Sequence, residues 1–154
     1  MKVKVGEEAP DFELASHRGG TVKLSELRGR KNVVIAFHPF AWTPVCERQM
    51  TGYEAEQPRL SGHDAHVLGI SADAVPPKAA WAKSLGGLSY DLLSDFFPHG
   101  AVSERYGVLR PEGFPERAVF VVDKNGTVVF AKRYDLGELP EMTDVLAVLE
   151  GIDS

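Results

Sequence analysis

One cysteine, Cys46, closes the stretch Phe37-His38-Pro39-Phe40-Ala41-Trp42-Thr43-Pro44-Val45-Cys46, and the 154 residues hold no other. A lone thiol can serve as a nucleophile, as a metal ligand or as a small apolar filler. Its neighbours favour the nucleophile. Val33-Val34-Ile35-Ala36-Phe37 is a short β-branched run of the kind buried on both faces of a sheet. Pro39 ends it, having no N–H to give a ladder. Thr43 then suits an N-cap and Pro44 the first helical position. This places Cys46 third in a helix, where unpaired N–H groups and the positive end of the macrodipole favour an anion. Free cysteine titrates near about 8.5, and helix N-termini or nearby cations bring such thiols to about 3.5–7.5. The Thr43 hydroxyl, one turn earlier, is expected to reach the sulfur or its target.

The spacing Pro39-x-x-x-Thr43-x-x-Cys46 resembles the active-site motif of the peroxiredoxins, thiol peroxidases built on a thioredoxin-like fold. The opening is also similar to theirs: Pro10-Asp11-Phe12-x-Leu14, a turn, then Leu24-Ser25-x-Leu27-x-Gly29 ahead of an apolar strand. Within the family, Ser94-Asp95-Phe96-Phe97-Pro98-His99-Gly100 followed by Tyr106-Gly107-Val108 resembles the one-Cys, alkyl hydroperoxide reductase E-like branch. The resemblance implies a cation as well. In peroxiredoxins an arginine at the start of the strand before the last hairpin points at the cysteine, and Arg117 matches that position.

The surrounding chain reads as an α/β fold. Ala9–Leu14 and Thr21–Leu24 are expected to be extended about the turn Arg18-Gly19-Gly20, with one helical turn at Ser25–Gly29. The helix carrying Cys46 is expected to run to about Gln57, with Pro58 and Gly62 marking its end and Gly52 a weak point. His66–Ser71 then reads as a second buried strand, which makes a parallel βαβ unit. That unit sets the cysteine at the carboxyl end of a strand, where open α/β sheets place their sites. Pro76-Pro77 opens a further helix with Trp81 and Leu85 on its apolar face and Gly86-Gly87 at its end. Tyr90–Ser94 is a short strand, followed by an aromatic loop and a short helix through Tyr106. The runs 118–122 and 127–131 flank Asp123-Lys124-Asn125-Gly126, a strong hairpin signal. Met142, Val145, Leu146 and Leu149 recur at helical spacing in a terminal helix. The expectation is one thioredoxin-like domain over 1–154: a mixed central sheet with helices on both faces.

Composition narrows the function. Seventeen basic against twenty-two acidic residues, a net charge of −5, argue against a nucleic-acid surface. A single cysteine excludes an internal disulfide and hence a stapled secreted scaffold. No secretory h-region and no membrane-length apolar run is visible, so a cytoplasmic address is expected. His63, His66 and His99 form no recognised ligand set, and neither a metal nor a cofactor is expected.

The chemistry expected is attack of the Cys46 thiolate on a peroxide oxygen to give a sulfenic acid. Charge then spreads over sulfur and the departing oxygen, so the site needs fixed donors: Thr43, the amides of Val45 and Cys46, and Arg117. Pro39 would shield the sulfur. Thr43 stands where disulfide oxidoreductases carry the first cysteine of Cys-x-x-Cys, and Thr51 where related proteins carry a resolving cysteine. Recycling therefore falls to an external thiol or a thioredoxin- or glutaredoxin-like partner.

The resemblance further implies a homodimer through the loops around the site, where Phe40, Trp42, Phe96 and Phe97 offer contact aromatics; core packing is an equal alternative for Phe96 and Phe97. Two residues depart from the family pattern. Gln49 replaces a glutamate that helps hold arginines, and His38 replaces an aromatic residue, with packing its expected role. Trp42 should report oxidation of the sulfur. The rival readings are a peroxide sensor using the same sulfenic acid, a cysteine hydrolase with His38 as base, and an inert structural thiol.

Overall fold

Alternation along β3 (Asn32–Phe37) explains the layering of the molecule. Every residue of this strand is buried. Val34 and Ala36 point into one apolar cluster, and Val33, Ile35 and Phe37 into the other. The structure, a computed structural model, describes residues 1–153. Around β3 are β1 (Glu13–Ser16), β2 (Thr21–Lys23), β4 (Ala65–Ser71), β5 (Asp91–Ser94), β6 (Arg117–Val122) and β7 (Val128–Tyr134). They form one seven-stranded sheet in the order β2-β1-β5-β4-β3-β6-β7. β3, β4 and β5 run parallel, and β1, β2, β6 and β7 join by antiparallel pairings. This is the mixed α/β sheet of the thioredoxin-like fold.

The helices are α1 (Pro44–Ala55), α2 (Gln57–Gly62), α3 (Val75–Ser84), α4 (Ala101–Arg105) and α5 (Met142–Asp153). Cys46, Met50 and Tyr53 of α1, Leu60 of α2, Trp81 of α3, and Val145 and Leu149 of α5 share the first cluster. Val102 of α4, with Tyr106 behind it, belongs to the second. Both faces of the sheet are thus covered.

Two boundaries and one interior position differ from expectation. Pro58 begins a helix rather than ending one: α1 stops at Ala55, and α2 carries Pro58 in its first turn. A proline is excluded from a helix interior but costs nothing where the N–H would be unpaired anyway. α1 passes through Gly52 without a break. β7 extends to Tyr134, beyond the apolar run, pairing Tyr134 with Arg117. Lys132 and Arg133 concealed that extension, although charged residues are usual on an edge strand. The last hairpin turns through Asp123, whose carboxylate accepts the amides of Asn125 (2.9 Å) and Thr127 (3.0 Å). Gly126 alone in that turn takes a left-handed φ, +83°.

Candidate active site

Parallel β3, β4 and β5 end at the same edge of the sheet with Phe37, Ser71 and Ser94, and antiparallel β6 begins there with Arg117. The buried polar side chains His38, Gln49, Ser71, Lys78, Ser94, Asp95 and Arg117 lie on the segments that meet at this edge or pack over it. α1 starts above it, with Pro44 first and Cys46 third in the helix, and no side chain caps the turn. The amides of Val45 and Cys46 belong to the unpaired set of a helix start.

Cys46 has no exposed surface. Its sulfur accepts a hydrogen bond from Arg117 Nη2 at 3.3 Å. The same guanidinium donates from Nη1 to Gln49 Oε1 at 2.8 Å and from Nε to the carbonyl of Leu136 at 3.0 Å. Gln49 in turn donates from Nε2 to the Tyr53 hydroxyl at 3.2 Å. Burial pushes Tyr53 up to about 12, against the opposing pull of Gln49 and Arg117, so it stays a neutral phenol. Among the described residues that Arg117 hydrogen-bonds, only the sulfur can carry negative charge. A thiolate there accepts from the guanidinium as one half of an ion pair, a stronger bond than a neutral thiol's sulfur accepts. Gln49 thus supplies the neutral acceptor that orients the arginine, and the position where the family pattern has a glutamate remains in contact with it.

Thr43 departs from expectation. Its backbone is that of an N-cap, but its hydroxyl caps no amide and donates instead to the carbonyl of Phe40 at 2.9 Å. The hydroxyl closes the Phe40–Thr43 turn; its lone pairs stay available as acceptors. Inside that turn Trp42 adopts a left-handed φ of +68°. A bulky residue pays about 1–3 kcal/mol for such a conformation and keeps it only where the surroundings impose it. Two bonds flank it: Ala41 N donates to Asp73 Oδ2 at 2.9 Å, and Trp42 Nε1 donates to the Pro77 carbonyl at 3.0 Å. Pro39, next to that turn in sequence, is buried.

His38 is fully buried and packs on Trp81 with ring centroids 5.7 Å apart, in keeping with a packing role. Burial, the Lys78 charge and the Arg117 charge hold it well below its ordinary value, outweighing the bond to Ala36, so it is neutral. Its Nδ1 lies 3.5 Å from the Ala36 carbonyl and its Nε2 3.4 Å from Lys78 Nζ. A neutral imidazole engaged this way is a poor hydrolytic base for Cys46.

The sequence reading missed Lys78, Ser71, Asp73 and Asp95. Lys78 Nζ donates to Ser71 Oγ, and Ser71 Oγ donates to Asp73 Oδ2 at 2.7 Å. Asp95 accepts the amides of Val102 (3.1 Å) and Ser103 (2.8 Å), anchoring α4. For Lys78 a signal existed: it precedes Trp81 by three residues and so falls on the apolar stripe of α3.

Phe40, Trp42, Phe96 and Phe97 are all exposed, which removes the core alternative for the last two. Phe40 meets Phe114 in a tilted ring contact with centroids 4.7 Å apart. The three histidines weighed as ligands have no common centre: His66 meets Asp91 at 2.7 Å, and His99 meets the Gly113 carbonyl at 2.6 Å. Among the described residues no group of three His, Cys, Asp or Glu is placed to hold a metal, and no helix is long and apolar enough to cross a membrane.

Residues 5–131 match the model of the AhpC/TSA family. The chain is 38% identical over 151 residues to alkyl hydroperoxide reductase E of Mycobacterium tuberculosis, covering 96% of this chain and 98% of that one. Among solved structures it is similar to peroxidoxin BcpB from Mycobacterium tuberculosis, with a TM-score of 0.87, 29% identity and 99% of each chain covered. It is likewise similar to the reduced 2-Cys peroxiredoxin of Plasmodium vivax, with a TM-score of 0.89, 27% identity, and 97% of this chain and 81% of that one covered.

Proposed function

The chain belongs to the AhpC/TSA family and is a thiol peroxidase of the peroxiredoxin type, and from that premise we propose that it reduces small peroxides by a one-Cys cycle centred on Cys46. The observation that carries this reading is the buried Cys46–Arg117 contact at 3.3 Å, with Arg117 oriented by Gln49 and the Leu136 carbonyl.

The Cys46 thiolate attacks one oxygen of hydrogen peroxide or of an organic hydroperoxide. An S–O bond forms as the O–O bond breaks; sulfur is oxidised by two electrons and the peroxide is reduced. The departing oxygen takes a proton and leaves as water or an alcohol. Arg117 and the amides of Val45 and Cys46 stabilise the charge spread along S···O···O. Thr43, with its hydroxyl hydrogen given to Phe40, offers a lone pair to the peroxide's own proton. Pro39 keeps bulk water from the sulfur. The relative from Plasmodium vivax is named as a 2-Cys protein, whereas this chain has one cysteine. Its sulfenic acid is therefore returned to the thiol by an external thiol or a thioredoxin- or glutaredoxin-like protein. We take the whole of 1–154 as one domain, in keeping with its continuous sheet, working in the cytoplasm. The exposed Phe40, Trp42, Phe96 and Phe97 suit a homodimer contact.

The test is stopped-flow Trp fluorescence of the reduced protein mixed with hydrogen peroxide and with an alkyl hydroperoxide, followed by turnover with an added thiol. Stoichiometric oxidation that disappears in Cys46→Ser, together with thiol-dependent turnover, is the expected result. Oxidation no faster than that of free cysteine overturns the peroxidatic role of Cys46. Rapid oxidation without turnover by any thiol supports the sensor instead.

A further inference from the structure

Lys78 has no exposed surface. Among the described residues its ammonium meets only Ser71 Oγ and His38 Nε2, both uncharged, and no carboxylate lies within ion-pair distance. A buried cation without a paired anion is among the costliest side chains a core can hold, and a methionine would fill the same space at no such cost. Its surroundings indicate what the charge acts on. From Lys78 the bonds run through Ser71 Oγ to Asp73 Oδ2, and Asp73 Oδ2 also accepts the amide of Ala41. Ala41 directly precedes the left-handed Trp42 and the N-cap Thr43. Ser94 Oγ holds Asp73 itself, donating to its carbonyl in the β4–α3 connection at 2.7 Å. The titratable groups whose charges act on Lys78 are His38 after β3, Cys46 on α1, Asp73 ahead of α3, Asp95 after β5 and His17 after β1, and Arg117 of β6 acts on His38.

We propose that Lys78 is a positioning residue of the Cys46 site: its charge anchors the Ser71–Asp73–Ala41 chain that sets the turn before α1, and it supplies a second buried positive charge that favours Cys46 as the thiolate. The proposal rests on the peroxidatic reading of Cys46. Burial pushes Lys78 down to about 7, against the pull of Asp73, Cys46 and Asp95. Its charge is therefore present in mildly acidic solution, where a thiolate most needs support, and is given up as the pH rises. Coupling of this kind is reciprocal: what Lys78 does to Cys46, Cys46 does to Lys78.

The experiment compares wild type with Lys78→Met by thiolate absorbance near 240 nm across pH, a readout independent of peroxide. The half-point of thiolate formation is expected about one pH unit higher in the variant, and its oxidation by hydrogen peroxide at pH 6 about tenfold slower. The rates should draw together towards pH 9. An unmoved half-point overturns the proposal, even if the rate falls uniformly. Should Lys78→Met not fold, the reciprocal arm decides. NMR of 13C-labelled lysine in wild type and Cys46→Ser should find the Lys78 titration about one unit lower without the thiolate, and equal titrations overturn the proposal. A shifted half-point in a protein inert to peroxide would refute the peroxidase and leave the coupling standing; fast oxidation with an unmoved half-point does the reverse.

Discussion

Replacing Arg117 by methionine removes one guanidinium and three hydrogen bonds at once, and the consequences separate by partner. The bonds to Gln49 (2.8 Å) and the Leu136 carbonyl (3.0 Å) go to neutral groups that take no part in the reaction and fix orientation. The bond from Nη2 to the sulfur, 3.3 Å long and buried, is the one that changes in value as charge moves. Hydrogen bonds involving a charged group are worth about 1.5–3 kcal/mol. If that amount separates the reduced enzyme with its peroxide from the transition state, Arg117→Met slows oxidation by about 10- to 150-fold. Arg117→Lys retains the charge but can reproduce only one of the three bonds, so its rate should fall closer to the methionine variant than to wild type. The assay is the second-order rate of fluorescence change with hydrogen peroxide at pH 7, with circular dichroism and a melting curve to show that both variants fold. A methionine variant that folds like wild type and oxidises within threefold of its rate would refute the argument, because the Arg117–Cys46 contact would then be spectator packing.

Gly69→Ala puts a Cβ 2.8 Å from Leu92 Cδ2 and 3.1 Å from Met50 Sδ, with His38 Cε1 next at 3.6 Å; overpacking of this sort costs about 1–3 kcal/mol, to be read from the urea midpoint. Asp91 titrates below its ordinary value: burial pushes it up, but the bonds from His66 and Ser16 and the charges of His66 and Arg18 outweigh this. A depressed carboxylate stabilises the fold above its unfolded value near about 3.9 and ceases to do so as pH falls through the folded one, so Asp91→Asn should flatten the loss of melting temperature between about pH 5 and 2. Lys78, also lowered, gives the same sign in a higher window. Between its folded value of about 7 and the unfolded value of about 10.4, the unfolded chain binds more protons, so stability rises with pH across that window. Lys78→Met should melt higher than wild type at pH 6, with the gap closing towards pH 10.

How much of this was legible depends on how far each signal travels along the chain. The strand before Pro39 and the helix opened by Thr43-Pro44 are set by neighbouring residues, so the place of Cys46 at a strand-to-helix junction could be read directly. Arg117 lies 71 residues away from Cys46, and only the resemblance brought it to the site. Without an analogous pattern, the 40-residue separation between Lys78 and His38 left no local trace beyond a lysine on an apolar stripe. Lysine is so seldom fully buried that its residue type argued against its position. The Thr43 hydroxyl was misread for a different reason: an N-cap threonine can bond to its helix or to its own turn, and the left-handed Trp42 brings the Phe40 carbonyl into reach. Pro58 could have been read either way, as the stop of one helix or the first turn of the next, and only the packing of Leu60 into the core favours the second.

Of the three anchors on Arg117, one is a main-chain oxygen, and this gives the site an uneven tolerance to mutation. Every amino acid, proline included, carries a carbonyl, so position 136 can drift through the twenty residues without losing the bond, provided the path of the loop is kept. An insertion or deletion between Tyr134 and Met142 would move that oxygen and turn the guanidinium away from the sulfur, though it touches no residue of the site. In a library of variants the loop should therefore accept almost any letter and almost no change of length, whereas at Gln49 the letter itself is constrained.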